Sequence, residues 1–116
     1  MSITPPKRRE YNRKPLKVKM VVKNRRSLGM AYFDSKDISS GGAFLESLDH
    51  YEIGTEIELA FSLPGKPKQL KVLGKVVYLV TDEITRDSKL VPGMGIKFLN
   101  LKEDDKKLLE AYLEHH

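Results

Sequence analysis

Cysteine is absent from this 116-residue chain, which excludes disulfides and any thiolate nucleophile or thiolate metal ligand. A chain without cysteine fits a reducing compartment, so a cytoplasmic location is expected. Histidine is nearly absent too. His115 and His116 follow Leu113-Glu114 in what reads as a cloning junction and the start of a polyhistidine tag, so residues 113–116 are set aside. That leaves His50, which has no serine or carboxylate relay beside it and reads as an exposed loop residue. No apolar run approaches the roughly 20 residues needed to cross a bilayer. The N-terminus carries prolines and arginines where a signal peptide would be apolar. There is no Gly-x-x-x-x-Gly-Lys-Ser/Thr phosphate loop and no metal-ligand spacing of His and Cys. Glu103, Asp104 and Asp105 stand near an expected helix N-terminus, where they offset the helix dipole rather than catalyse. Neither catalysis, a metal site nor membrane insertion is expected.

What is present is a small, highly charged globular domain. The apolar fraction is 40%, the charged fraction 32% and the net charge +5, which suits one hydrophobic core and no more. The charge is unevenly spread. Residues 1–26 hold ten Lys or Arg against Glu10 alone, or +9, whereas the remaining ninety residues sum to −4. A basic segment on a mildly acidic body suggests an anionic partner, although a solvated tail that aids solubility has the same composition.

Residues 1–14, with Pro5, Pro6 and no apolar periodicity, read as a flexible basic arm. The domain proper is expected over residues 15–112. Leu16, Val18, Met20 and Val22 alternate with lysines, the period of a half-buried strand, and Asn24 to Ser27 reads as a turn. Leu28 to Phe33 suggests a second strand, followed by a turn from Asp37 to Gly42 and a short strand at Ala43 to Leu45. Ile57, Leu59 and Phe61 alternate with polar residues, and Leu63 to Pro67 is a strong breaker. Leu70 to Val80 is the longest β-rich run, with Gly74 as a candidate bulge. After a polar excursion, Met94 to Leu99 gives the final strand. Asn100, with Glu103 three residues on, predicts a capping box for a C-terminal helix burying Leu108, Leu109 and Tyr112. About six short strands and one helix predict a mainly all-β fold, an antiparallel barrel or strongly curled sheet.

Two segments carry the chemistry. Arg8, Arg9 and Arg13 present planar forks of donors that match phosphate oxygens and can stack on a base or read a guanine edge. In Asp37-Ile38-Ser39-Ser40-Gly41-Gly42, the glycines permit positive φ and close backbone approach. Ser39 offers a hydroxyl, and Asp37 can accept from a guanine edge or orient an arginine. Alone, this second segment is equally an Asx-type turn leading into Phe44.

Taken together, Arg9-x-x-x-Arg13 upstream of Asp37-x-Ser39-x-x-Gly42, with strands between them, resembles the paired signature of the PilZ domain family. Gly93-Met94-Gly95-Ile96-Lys97-Phe98 resembles that family's closing strand, and the likeness covers about residues 7–112. The resemblance implies a six-stranded antiparallel β-barrel of PilZ type with a C-terminal helix, acting as a non-catalytic receptor for the bacterial second messenger cyclic di-GMP. By motif, Arg9 and Arg13 would contact phosphates and guanine, while Asp37, Ser39 and Gly42 would hold a guanine and its ribose-phosphate; Gly41, in the same turn, is a further ligand-binding candidate. Arg8, just before the motif, implies a stacked ligand dimer and so two ligands per protomer, with no other cofactor. Tyr78 is a candidate base-stacking residue, against ordinary packing, and Phe44, Phe61 and Phe98 are expected in the barrel core. The arm would close over the ligand and signal to a protein partner. Two rival readings are a small basic barrel that binds RNA or single-stranded DNA and a PilZ-like interaction module that binds no nucleotide. Nucleic acid is disfavoured by the scarcity of aromatics arranged as a platform and by the acidic body.

Overall fold

Alternation builds this sheet. Ile57, Leu59 and Phe61 are buried while Glu56, Glu58 and Ser62 face water, and Met20 and Val22 are buried between exposed Lys19 and Lys23. The computed structural model describes residues 14–24, 29–81 and 91–115. Among the described residues seven strands precede one helix: β1 Lys14–Pro15, β2 Lys19–Asn24, β3 Ala31–Ser39, β4 Gly42–Glu46, β5 Glu56–Ser62, β6 Gln69–Val80, β7 Gly93–Phe98, and α1 Glu103–Glu114. All pairings are antiparallel. The order β3-β2-β5-β6-β7-β4, with β4 returning to pair with β3, closes a six-stranded barrel and leaves no long open edge. The short β1 is an extra strand.

β1 and β2 lie end to end along the same side of β3, and a single hydroxyl bridges the break between them. Ser35 is buried, its Oγ accepts from the Val18 N–H at 2.9 Å, and it donates to the Leu16 carbonyl at 2.6 Å. Two backbone bonds flank it, Leu16 N–H to the Lys36 carbonyl at 3.1 Å and Ser35 N–H to the Val18 carbonyl at 3.0 Å. The backbone groups freed by the break are thereby satisfied. β1 then pairs Lys14 with Ile38 and Pro15 with Asp37.

The inner strand faces and one face of α1 form a single core. Leu109, Tyr112 and Leu113 join Met20, Ile38, Leu45, Ile96 and the stacked pair Phe61 and Phe98, whose rings lie 6.5 Å apart. Leu108 packs at its edge. The helix therefore continues past the expected boundary at 112 and buries Leu113. An ion pair ties its first turn to the β5–β6 loop: Lys68 Nζ lies 2.8 Å from the buried Asp105 Oδ1. Hydrogen bonding to Asp105 and its negative charge raise the lysine's pKa above the usual 10.5.

Several local expectations are corrected. β3 does not stop at Phe33 but runs to Ser39, so the turn contracts from Asp37–Gly42 to Ser40-Gly41. Gly74 marks no bulge; it faces the core, where a Cβ would meet Ile96 Cγ2 at 2.6 Å and Leu59 Cδ1 at 2.7 Å. Asn100 does not cap α1, which starts after Lys102 without a side-chain cap. Its Oδ1 instead accepts from the Leu73 N–H at 2.8 Å and ends the β6–β7 pairing. His50 is exposed, as expected.

Candidate ligand-binding site

Two β-bulges decide which side chains reach the outer face of the barrel. In β3, strict alternation would send Asp37 inward with the buried Ser35. The register instead shifts between Ser35 and Asp37, so that Lys36 and Asp37 together oppose Phe44 and Asp37 turns outward. In β6, Leu70, Val72 and Val76 are buried, and the same parity would bury Tyr78. The register shifts again between Val76 and Tyr78, and both Val77 and Tyr78 emerge, 41% and 42% exposed. A bulge adds one residue and reverses the facing of everything after it.

Cross-strand partners in an antiparallel sheet share a face. One row across the outer face is therefore Asp37, Phe44, Gly95 and Tyr78, and the next is Ser39, Gly42, Lys97 and Lys75. Phe44 is buried but lies outside the core cluster. Its ring runs nearly parallel to that of Tyr78, with centroids 6.1 Å apart and planes 26° apart. The expectation that Phe44 belongs to the barrel core is corrected on this ground: in the register it shares the outer face with Asp37. The two glycines of β7 make room for these rings. A Cβ on Gly93 would fall 2.7 Å from Phe44 Cε2, and one on Gly95 would fall 2.0 Å from Tyr78 Cε2. Bare backbone lets the aromatics lie against the sheet.

The β3–β4 hairpin borders this platform. Ser39 Oγ accepts from the Gly41 N–H at 3.1 Å and contacts the Gly42 carbonyl at 3.4 Å, which leaves it one acceptor lone pair. The Gly41 carbonyl accepts from Phe98 N–H at 2.9 Å and ties the turn to the end of β7. Positive φ occurs at Gly29, Gly54 and Gly65 but not at Gly41 or Gly42, so the motif glycines do not serve by left-handed geometry. Gly42 serves by close approach, because a Cβ there would fall 2.0 Å from the Ile96 carbonyl oxygen. A concavity of about 920 Å³ lies elsewhere, lined by Asn24 and by residues 50–56.

A family profile described as PilZ domain matches residues 7–115, almost the entire chain. The chain belongs to the PilZ domain family. Solved structures share this PilZ fold at low identity. The inhibitor of motility MotI/DgrA of Bacillus subtilis gives a TM-score of 0.77 at 19% identity over 93% of this chain, which spans only 50% of that one. The PilZ domain of YcgR from Escherichia coli, solved with c-di-GMP, gives 0.66 at 20% identity, covering 93% of this chain and 90% of that one. The PilZ domain of CeSA from a cellulose-synthesizing bacterium gives 0.58 at 14% identity, covering 90% and 96%. No curated protein matches the chain in sequence.

Within this PilZ domain, Asp37, Ser39, Gly42 and Tyr78 share one outer face, and Gly41 sits in the turn at its border. Arg8, Arg9 and Arg13 lie outside the described residues, as does the rest of the arm expected over residues 1–14 except Lys14, which is in β1. Lys14, which follows Arg13 directly, pairs with Ile38 between Asp37 and Ser39. Sequence reasoning missed Ser35, whose value depends on a strand break, and Lys97, whose place opposite Gly42 depends on register. Among the described residues no helix is long and apolar enough to cross a membrane.

Proposed function

We propose that this PilZ domain is a receptor for cyclic di-GMP. The observation that carries the reading is that the strand following the arginine motif pairs with the Asp37 segment. β1, which begins at Lys14 directly after Arg13 in sequence, pairs with Asp37 and Ile38, beside the buried Ser39 and in the same sheet as the aromatic pair of the outer face. A ligand with two phosphates and two guanines matches that set of groups. Arginine forks suit the phosphates, the Asp37 carboxylate and the Ser39 hydroxyl suit base and sugar edges, and Tyr78 offers a face for stacking. The E. coli YcgR domain, of the same fold, was solved with this ligand, which supports the reading further. Arg8 adds a third fork, consistent with a stacked pair of ligands per protomer.

In this reading the domain is non-catalytic. Ligand binding draws the arginine segment onto the outer face, and the surface so formed signals to a protein partner in the cytoplasm. Isothermal titration with cyclic di-GMP tests it, with a single-stranded oligonucleotide as control. Binding at about two ligands per protomer is expected, with large losses in Arg9→Ala, Arg13→Ala and Asp37→Ala. Absence of binding by the wild-type protein, or equal binding of the oligonucleotide, would overturn the reading.

A further inference from the structure

Lys97 has a place on the outer face that the paired motifs do not account for. In its row it stands between Gly42, which has no side chain, and Lys75, directly opposite in β6. Like charges directly opposed across a sheet repel. Glu56 stands on the far side of Lys75 and offsets that charge, while Lys97 has no acid opposite it in either neighbouring strand. Repulsion from Lys75 and the bare backbone at Gly42 both bias the exposed Lys97 side chain the same way, over Gly42 toward Ser39. Ser39 lies two strands away, about 10 Å at the usual strand spacing. The four-carbon stem of lysine covers much of that gap. Along β7, Gly95 is next on the same face, and Tyr78 lies above it. A fixed cation thus borders an aromatic ring on the edge of the platform opposite Asp37.

We propose that Lys97 is an anion-binding residue of this face, holding the ligand phosphate on the β7 side, with Lys75 as a positioning charge that directs it. This rests on the cyclic di-GMP reading and adds a contact outside both motifs. The arrangement suits a nucleotide whose base lies on Tyr78 and whose phosphate reaches over Gly42.

Titration of cyclic di-GMP into wild type, Lys97→Ala, Lys97→Arg, Lys75→Ala and Lys71→Ala tests it. Lys71 carries the same charge on the outer side of β6, but it lies four residues from Lys75, about 13 Å along the strand, outside the stretch of β6 that pairs with β7. Lys97→Ala should raise Kd about tenfold, the loss of one charge-assisted hydrogen bond to phosphate. Lys97→Arg should retain most of the affinity, Lys75→Ala should show a smaller loss, and Lys71→Ala should match wild type. If wild type and Lys97→Ala bind alike, the inference fails while the receptor reading stands. An equal loss in Lys71→Ala also overturns it, because net charge alone would then explain the effect. Should wild type not bind cyclic di-GMP at all, the receptor reading fails and this inference falls with it.

Discussion

Replacing Ser35 by alanine tests whether one buried hydroxyl holds the entry of the chain against the ligand face. The hydroxyl accepts from Val18 N–H at 2.9 Å and donates to the Leu16 carbonyl at 2.6 Å. Alanine fits the same space but leaves both backbone groups without a partner. A buried unsatisfied group costs about 1–3 kcal/mol. Val18 is buried and bears the full penalty, whereas Leu16 is half-buried and its carbonyl can recruit water. The expected loss is therefore about 2–4 kcal/mol, or roughly 10 °C in Tm for a domain of this size. Urea denaturation gives the first readout, with a lower midpoint and an unchanged m-value. The second is titration with cyclic di-GMP well below the unfolding transition, where both proteins are folded. Freed from Ser35, β1 should pair less firmly with Asp37 and Ile38, and affinity should fall although no ligand-facing group has changed. A stability loss below about 0.5 kcal/mol would refute the hydrogen-bond argument. A full stability loss with wild-type affinity would refute the coupling to the site.

Gly42→Ala should be severe, because its Cβ would meet the Ile96 carbonyl oxygen at 2.0 Å and force β4 from β7. A loss of more than about 2 kcal/mol is expected in chemical denaturation; a near-neutral result would show that the strands can part cheaply. Gly95→Ala differs, since its Cβ would meet the Tyr78 ring, which can swing away. Only about 1 kcal/mol of stability should be lost, while cyclic di-GMP affinity drops by about as much as in Tyr78→Ala. Retention of wild-type affinity by both variants would remove the stacking role. Lys68→Gln should lower Tm at pH 8 by removing the partner of Asp105. Because the folded-state pKa of Lys68 is raised, its contribution is complete below the ordinary 10.5 and is lost as pH rises through the higher folded value. The melting difference between variant and wild type should therefore close above pH 10.5, and a difference that persists there would assign it to packing.

The strands were legible because period-two alternation is written residue by residue, as in Ile57, Leu59 and Phe61 or Met20 and Val22. The motif residues were legible as types, and Asp37, Ser39, Gly42 and Tyr78 do come together on one face. Their orientation was not legible. Counted from the buried Ser35, Asp37 reads as an inward residue, and counted from Val76 so does Tyr78. A bulge leaves no required residue type in the sequence; it becomes visible only when two strands are laid in register. Phe44 was misplaced for the same reason, since an aromatic between Ala43 and Leu45 has no marker of facing. Asn100 satisfied the capping pattern, yet a competing acceptor role at Leu73 N–H, 27 residues away in sequence, took its amide.

Separate use of the two barrel faces follows from this geometry. The inner face is closed by aliphatic residues, Phe61, Phe98 and the helix, so its tolerance is set by volume. The outer face around β3, β4, β6 and β7 is set by two bulges and two bare glycines, none of which contributes a side chain to the barrel core. Side chains on the outside can therefore vary without repacking the inside, provided the bulges persist. Ser35 and Gly42 are the points where the faces are coupled. Ser35 joins a buried hydroxyl to β1, and Gly42 combines a ligand-motif position with backbone contact to β7. Substitutions at these two positions should move stability and binding together, whereas those at the exposed Lys97 should move binding alone.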